Sequence, residues 1–129
     1  MFLHIDPTDG LAIYDQVVRQ ITFAVASGAL RADEFVPSVR ELARALAINP
    51  NTVARAYRKL RDDGVLESVR GTGLAVTPGA AARCRKQRLG LIKERVREVL
   101  REARRSQLTR ADVGRLLEKE LNRVFREDS

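Results

Sequence analysis

The predicted fold is decided by the stretch Asn49-Pro50-Asn51-Thr52-Val53-Ala54-Arg55-Ala56-Tyr57. Asn49 suits a helix N-cap, and Pro50 suits the first helical position, where no amide proton is needed. Apolar side chains then recur at helical spacing and predict one buried face, formed by Val53, Ala56, Tyr57 and Leu60. Gly64 is expected to end this helix.

A second predicted helix lies directly upstream. Ser38-Val39-Arg40-Glu41 has the form of a capping box, in which the serine hydroxyl and the glutamate carboxylate each accept an amide proton of the other residue. Residues 47 and 48 leave only a short turn before the next helix, which predicts a helix-turn-helix. A further helix is predicted from Leu11 to Gly28, with one apolar stripe.

Two short runs rich in strand-forming residues follow, at 65–69 and 74–77. Arg70-Gly71-Thr72-Gly73 joins them as a hairpin turn, with glycine available for positive φ. The order of helices and hairpin is that of a winged helix-turn-helix. We therefore predict a mainly α fold with a small β-hairpin, in which residues 1–77 form the DNA-binding domain.

The remainder of the chain is predicted as a linker, 78–83, and a two-helix dimerisation region, 84–129. Pro78-Gly79 marks the boundary, and a second capping box at Thr109–Asp112 starts the last helix. Two helices cannot enclose a core of their own, so their apolar side chains must be covered by another copy or by the chain's own first domain. Docking on another copy is the simpler of these alternatives. The side chains concerned are called the apolar seam: Leu89, Ile92, Val96, Val99, Leu100, Val113, Leu117, Leu121 and Val124.

The composition of the 129 residues argues against several classes of protein. No apolar run approaches the ~18 residues of a membrane span, and the first ten residues do not have the form of a signal peptide. A single cysteine, Cys84, rules out an internal disulfide framework and fits a reducing cytoplasm. With one histidine and no CxxC pair we expect no zinc site, no other cofactor and no membrane partner. Catalytic motifs are missing, so we expect no enzyme activity.

The net charge of +7 points to a polyanionic partner but does not locate it. Residues 1–80 hold nine basic and nine acidic residues, whereas residues 81–129 hold fifteen and eight. The local count is more informative, because residues 38–61 contain six basic residues and one acidic residue. The predicted helix-turn-helix therefore has a basic face, although the net charge of residues 1–80 is zero.

Double-stranded DNA is the partner that this face predicts. A helix-turn-helix places the start of its second helix in the major groove, where Asn51 and Thr52 have side chains suited to base edges. Asn49 can read a base or serve only as the cap, Thr52 can instead satisfy a helix amide, and Tyr57 is expected in the core. The other candidates for contact with bases, phosphates or the minor groove are Ser38, Arg40, Arg55, Arg58, Lys59, Arg70, Gly71 and Thr72. For Arg58 and Lys59 a solvated helix face is an equal alternative.

These motifs resemble, in order and spacing, those of the GntR family of bacterial transcription regulators. The resemblance covers about residues 11–77, and the short two-helix tail resembles the YtrA-type branch. It implies a homodimeric repressor on a palindromic operator, with contacts from Arg40, Asn49, Asn51, Thr52 and Gly71. The sequence names no small-molecule effector. Residues 31–34 and 73–75 depart from the family pattern, in the loop before the second helix and in the wing.

A DNA-coating protein is the alternative from another functional class. The basic C-terminal region alone can hold backbone phosphates, with steep salt dependence and little sequence preference. Asn49, Asn51 and Thr52 argue against it, because a coating protein has little use for side chains that read base edges.

Overall fold

The computed structural model describes residues 3–127. Its elements are α1 (Ile13–Ser27), α2 (Val39–Leu46), α3 (Pro50–Asp62), β1 (Leu66–Val69), β2 (Gly73–Val76), α4 (Ala80–Arg105) and α5 (Arg110–Glu127). The predicted fold class is confirmed: helices with one two-stranded antiparallel sheet. None of the helices within the described range has the length and apolar character that a membrane span needs. By internal contacts the chain divides into two compact units, the first ending at Leu91 and the second beginning at Ile92.

The core of the first unit is aliphatic and lies between α1, α2 and α3. α1 contributes Val17 and Ile21, α2 contributes Leu42, and α3 contributes Val53 and Leu60, all with at most 1% of their surface exposed. Burial of these side chains removes apolar surface from water, which is the main stabilising contribution to such a domain. The predicted inward faces of α1 and α3 are confirmed by this packing.

Local capping fixes where α2 begins and ends. The Ser38 hydroxyl accepts a hydrogen bond from the Glu41 amide (3.1 Å), and the Glu41 carboxylate accepts one from the Ser38 amide (3.0 Å). Ala47 ends the helix with φ of 56°, and its amide donates to carbonyls of the last turn. The predicted capping box and the predicted short turn are both confirmed.

The wing is the hairpin of β1 and β2 with its connecting turn, residues 70–72. Leu66 pairs with Val76 and Val69 with Gly73. The loop before α2 adds a short third segment, since Phe35 forms a bridge with Ala75. This pairing lies where both departures from the family pattern occur, so the loop and the wing hold each other in register. The backbone hydrogen bonds concerned are Asp33 N–H to Val76 O, Val76 N–H to Glu34 O and Val36 N–H to Leu74 O, at 2.8–2.9 Å.

The segment before α1 is held by two glutamines one turn apart on that helix. The Gln16 side chain accepts from the Asp6 amide (2.8 Å) and donates to the Asp6 carbonyl (2.7 Å). Gln20 forms the same pair of bonds with the amide and carbonyl of His4. The two side chains thus form the backbone hydrogen bonds that a neighbouring strand would otherwise give to residues 4–6.

The predicted linker differs from the structure. α4 begins at Ala80 rather than at Cys84, so residues 80–83 are helical. Ala80 and Cys84 are both fully buried in the core of the first unit, which draws the start of α4 onto that unit. The Arg83 guanidinium donates to the Gly64 carbonyl just after α3 and strengthens this attachment. Pro78-Gly79 therefore makes a turn within the unit and does not mark its end.

The second unit consists of the later part of α4 and of α5. A capping box starts α5 as predicted: the Asp112 amide donates to the Thr109 hydroxyl (3.1 Å), and the Thr109 amide donates to the Asp112 carboxylate (3.0 Å). Along its whole described length α5 has no buried residue. Val113 is half-buried, whereas the other large apolar side chains described in this unit are 37–69% exposed in the single chain.

Candidate nucleic-acid interface

The start of α3 is organised by Asn49. Its side-chain oxygen accepts a hydrogen bond from the Asn51 amide at 2.8 Å, and Pro50 occupies the first helical position. The capping role that the sequence allowed for Asn49 is therefore confirmed. Its side chain is also exposed, so the cap holds the helix end open to the outside.

Asn51 and Thr52 have side-chain polar groups that the protein itself does not use. Asn51 is exposed and Thr52 is half-buried, and within residues 3–127 neither side chain makes a hydrogen bond. No helix amide forms a hydrogen bond with the Thr52 hydroxyl in the described residues. The structure therefore does not show the alternative role that the sequence left open for Thr52. Amide and hydroxyl groups without internal partners, at the first turn of this helix, are available to base edges.

The basic candidates fall into two groups. Arg40, Arg58 and Arg70 are exposed, and in the described part of the chain none of them makes an ion pair. Lys59 is paired with Asp63 at 3.1 Å, and this hydrogen bond raises the pKa of Lys59. Arg55 lies over the ring of Tyr14, with 4.1 Å between the guanidinium carbon and the ring centroid. Arg40, Arg58 and Arg70 are therefore free for an anion, Arg55 is held against a ring without an ion pair to any described residue, and Lys59 is paired with one carboxylate.

Ser38 is committed to the cap of α2. Its hydroxyl and its amide are both used in the capping box, and the two hydrogen bonds with Ser38 lower the pKa of Glu41. The carboxylate is therefore charged at neutral pH and lies where a phosphate would approach the helix start. A phosphate at this site would have the amides of residues 39 and 40 and the hydroxyl proton of Ser38 to bind.

The tip of the wing is open on all sides. Arg70, Gly71 and Thr72 are exposed, and the Thr72 amide closes the turn by donating to the Val69 carbonyl (3.0 Å). Gly71 has φ of 77°, a conformation that side chains rarely adopt. A Cβ atom there would meet nothing within 4 Å, so the turn requires glycine for its conformation and leaves space for a ligand.

Tyr57 belongs to the core, as expected. Its hydroxyl donates to the Pro37 carbonyl at 2.8 Å, and burial raises the pKa of the phenol well above its ordinary value. The bond ties α3 to Pro37, the residue before the N-cap of α2. Sequence reasoning missed Tyr14, whose contact with Arg55 joins residues forty-one positions apart and leaves no local signal.

The described residues contain neither a metal-binding cluster nor an exposed thiol. Between residues 3 and 127 no group of histidine, cysteine, aspartate or glutamate side chains could hold a metal ion. Cys84 is buried, and burial raises the pKa of its thiol. A buried protonated thiol is a poor nucleophile, and it acts here as a small apolar core residue.

Comparisons with known proteins agree with this geometry. Residues 13–76 match the model that describes the gntR family of bacterial regulatory proteins. The HTH-type transcriptional repressor YtrA of Bacillus subtilis is 33% identical over 101 residues, which is 78% of this chain and 78% of that protein. The chain belongs to the GntR family.

Solved structures extend the likeness beyond the first unit. A GntR family transcriptional regulator from Listeria monocytogenes is 30% identical and has a TM-score of 0.66, covering 89% of this chain and 98% of that one. The AraR DNA-binding domain in complex with an operator is 27% identical, with a TM-score of 0.50 over 57% of this chain and 89% of that one. GntR-family members are DNA-binding transcription regulators, and this protein has their DNA-binding winged helix.

Proposed function

We propose that this GntR-family protein is a homodimeric repressor that acts in the cytoplasm on a palindromic operator. The observation that carries the proposal is the start of α3, where the side chains of Asn51 and Thr52 are without internal partners and exposed arginines lie on the same and neighbouring elements. Asparagine pairs with adenine through two hydrogen bonds, and threonine contacts base edges or a thymine methyl group. The repressor YtrA of Bacillus subtilis, a relative over most of the chain, supports repression.

Phosphate contacts position this helix in the proposal. Exposed arginines lie on both helices of the helix-turn-helix, Arg40 on α2 and Arg58 on α3, whose first turn (residues 50–52) is called the reading turn. Arg70 at the wing tip suits the negative minor groove. Each unpaired guanidinium can replace a condensed counterion on the DNA, which supplies much of the affinity. Base reading then depends on the short side chains at positions 51 and 52, and Asn49 contributes chiefly by capping.

Dimerisation is proposed through the apolar seam, because the single chain leaves it uncovered. Leu89 on α4 is 70% exposed and Leu121 on α5 is 53% exposed, and large exposed apolar patches mark interaction sites. Within the second unit the helices leave an apolar groove of about 260 Å³, lined mainly by Ile92, Val96, Val99, Leu100 and Leu117. A second copy carries the same apolar row and fills this groove symmetrically.

A two-fold dimer explains a palindromic operator. It places two copies of α3 in major grooves about 34 Å, one helical turn, or a multiple of it apart. The two half-sites then have the same sequence in opposite directions. A bound dimer excludes polymerase from an overlapping promoter, which is the proposed mechanism of repression.

The proposal is tested by combining sedimentation with DNA selection. The wild-type chain is expected to sediment as a dimer at micromolar concentration and to select, from a random-sequence pool, duplexes with two inverted half-sites. Val99→Glu puts a charge into the seam and is expected to give monomers that lose the two-site complex. The matched control is Glu98→Gln, which changes an exposed neighbour outside the seam. A wild-type chain that remains monomeric, or that selects no common sequence, contradicts the proposal.

Nonspecific DNA coating remains as a second candidate because of the fifteen basic residues among residues 81–129. It predicts that affinity falls steeply with salt for every duplex and that selected and scrambled duplexes bind alike. Competition between the two at fixed salt decides between the candidates.

A further inference from the structure

We propose that Tyr14 on α1 is a positioning residue for DNA binding, whose ring holds the Arg55 guanidinium in place to bind one DNA phosphate. This inference rests on the proposed function and specifies how one side of α3 engages the DNA backbone. The ring and the guanidinium are 4.1 Å apart, well inside the ~6 Å within which such a pair attracts.

The stack leaves the hydrogen-bonding capacity of Arg55 unused. A guanidinium carries five N–H donors in its own plane, and the attraction between its charge and a ring face does not require any of them to bond to an oxygen. Arg55 is exposed, and across residues 3–127 it has neither a hydrogen bond nor an ion pair. Its orientation is therefore restricted while its donors remain available to an oxyanion.

Phosphate is a better match than a base for this guanidinium. Base edges are read from the first turn of a recognition helix, and Arg55 lies five residues beyond Pro50, about 7.5 Å along the axis at about 1.5 Å per residue. The Tyr14 contact holds the side chain against α1. At this distance from the start of a recognition helix, the DNA atoms beside the helix are the phosphates that border the major groove.

The neighbouring charge supports the same assignment. Lys59, one turn further along α3, is occupied by Asp63, so that Arg55 is the unpaired cation next to Tyr14. Tyr14 is half-buried and also packs against the edge of the core, but Val17, Ile21, Val53 and Leu60, each at most 1% exposed, form the core between the two helices without it. A role in orienting Arg55 therefore explains the contact better than a role in stability.

The chain contains a matched control for this experiment. On α1, the Arg19 guanidinium lies 5.4 Å from the ring centroid of Phe23, which is the same chemistry without any residue of α3. Phe23→Leu removes an aromatic face from the same helix. If loss of a stacked ring on α1 were enough to impair DNA binding, this variant would show it.

The test is a double-variant cycle measured by fluorescence anisotropy at several salt concentrations, with a duplex that the wild-type protein has selected from a random-sequence pool. Tyr14→Leu is expected to weaken binding about fivefold, as an attraction of this kind allows. Arg55→Gln is expected to lower the slope of log affinity against log salt by about 0.9 and to weaken binding at least as much. Tyr14→Leu combined with Arg55→Gln should bind as Arg55→Gln alone, whereas Tyr14→Phe and Phe23→Leu should bind as wild type.

The outcomes separate the possible roles of Tyr14. Equal losses from Tyr14→Leu in the presence and absence of Arg55, accompanied by a lower melting temperature, would show a structural role and overturn the proposal. A loss in Tyr14→Phe would assign the effect to the hydroxyl and overturn it as well. If the wild type selects a duplex and Tyr14→Leu binds it normally, this inference fails alone, and if the wild type selects none, the proposed function fails first.

Discussion

The two asparagines that flank Pro50 should separate helix capping from DNA reading. The Asn49 side chain accepts the Asn51 amide, whereas the Asn51 side chain makes no hydrogen bond within residues 3–127. Replacing each by alanine removes a similar polar group from almost the same place. The two variants are therefore expected to fail in different assays.

Asn49→Ala should lower stability. Loss of an N-cap side chain costs about 1 kcal/mol, because one amide of the first turn is left without its partner. For a domain of this size that corresponds to a fall in Tm of about 4–8 °C. Asn49→Asp retains an acceptor at the same position and should keep most of the wild-type Tm, so it is the matched control.

Asn51→Ala should leave stability unchanged or slightly improved, since alanine is a better helix former at an exposed position. Its effect is expected on sequence preference. Loss of a bidentate contact with adenine costs about 1–3 kcal/mol of discrimination, which is roughly 5- to 150-fold in relative affinity.

Thermal unfolding followed by circular dichroism and competitive binding to selected duplexes with single base-pair changes measure the two effects. A fall in Tm for Asn51→Ala equal to that for Asn49→Ala would exclude these separate roles. So would an unchanged base preference of Asn51→Ala at every position of the selected duplex. A loss of preference in Asn49→Asp, with normal Tm, would instead assign base reading to residue 49.

Three further variants test the surroundings of this helix. Arg58→Gln removes an exposed unpaired cation and should lower the salt slope of DNA binding by about 0.9 without changing base preference, and an unchanged slope would exclude a phosphate contact. Glu41→Gln tests the capping box, whose hydrogen bonds with Ser38 lower the pKa of Glu41. The charged carboxylate therefore stabilises the fold fully above the ordinary glutamate pKa of about 4.3. This stabilisation is lost as the pH falls through the lower pKa of the folded state. Wild type should therefore melt higher than Glu41→Gln at neutral pH, and the difference should close in acid; a constant difference in Tm would contradict this. Arg83→Gln removes the bond to the Gly64 carbonyl and should destabilise the first unit by about 1 kcal/mol in urea unfolding, whereas Arg85→Gln, at an exposed position two residues on, should not.

The helix starts could be predicted because their determinants are local. Ser38 with Glu41, Asn49 with Pro50, and Thr109 with Asp112 each lie within four residues, and the structure shows the expected cap at all three. The reading turn of α3 followed from the same pattern. Its exposure follows from the buried face of the same helix, so the positions of Asn51 and Arg58 were also predictable.

The parts that sequence reasoning missed depend on contacts between distant segments. Phe35 joins the wing through backbone pairing with Ala75. No alternation of apolar and polar residues in the sequence predicts this pairing. Sequence reasoning assigns Ala80 to a linker, yet the small side chains of Ala80 and Cys84 are buried and let the start of α4 pack closely on the core. The contact of Arg55 with Tyr14 likewise required the packing of α1 against α3.

Sequence reading by α3, the helix capped by Asn49, is measured by competition at fixed salt. A duplex selected by the wild-type protein is labelled, and unlabelled copies of that duplex or of a scrambled one are added as competitors. The selected duplex is expected to compete at least a thousandfold better, in the range of specific DNA-binding proteins, and Asn51→Ala is expected to reduce this ratio. Equal competition by the two duplexes with the wild-type protein would contradict sequence reading by α3.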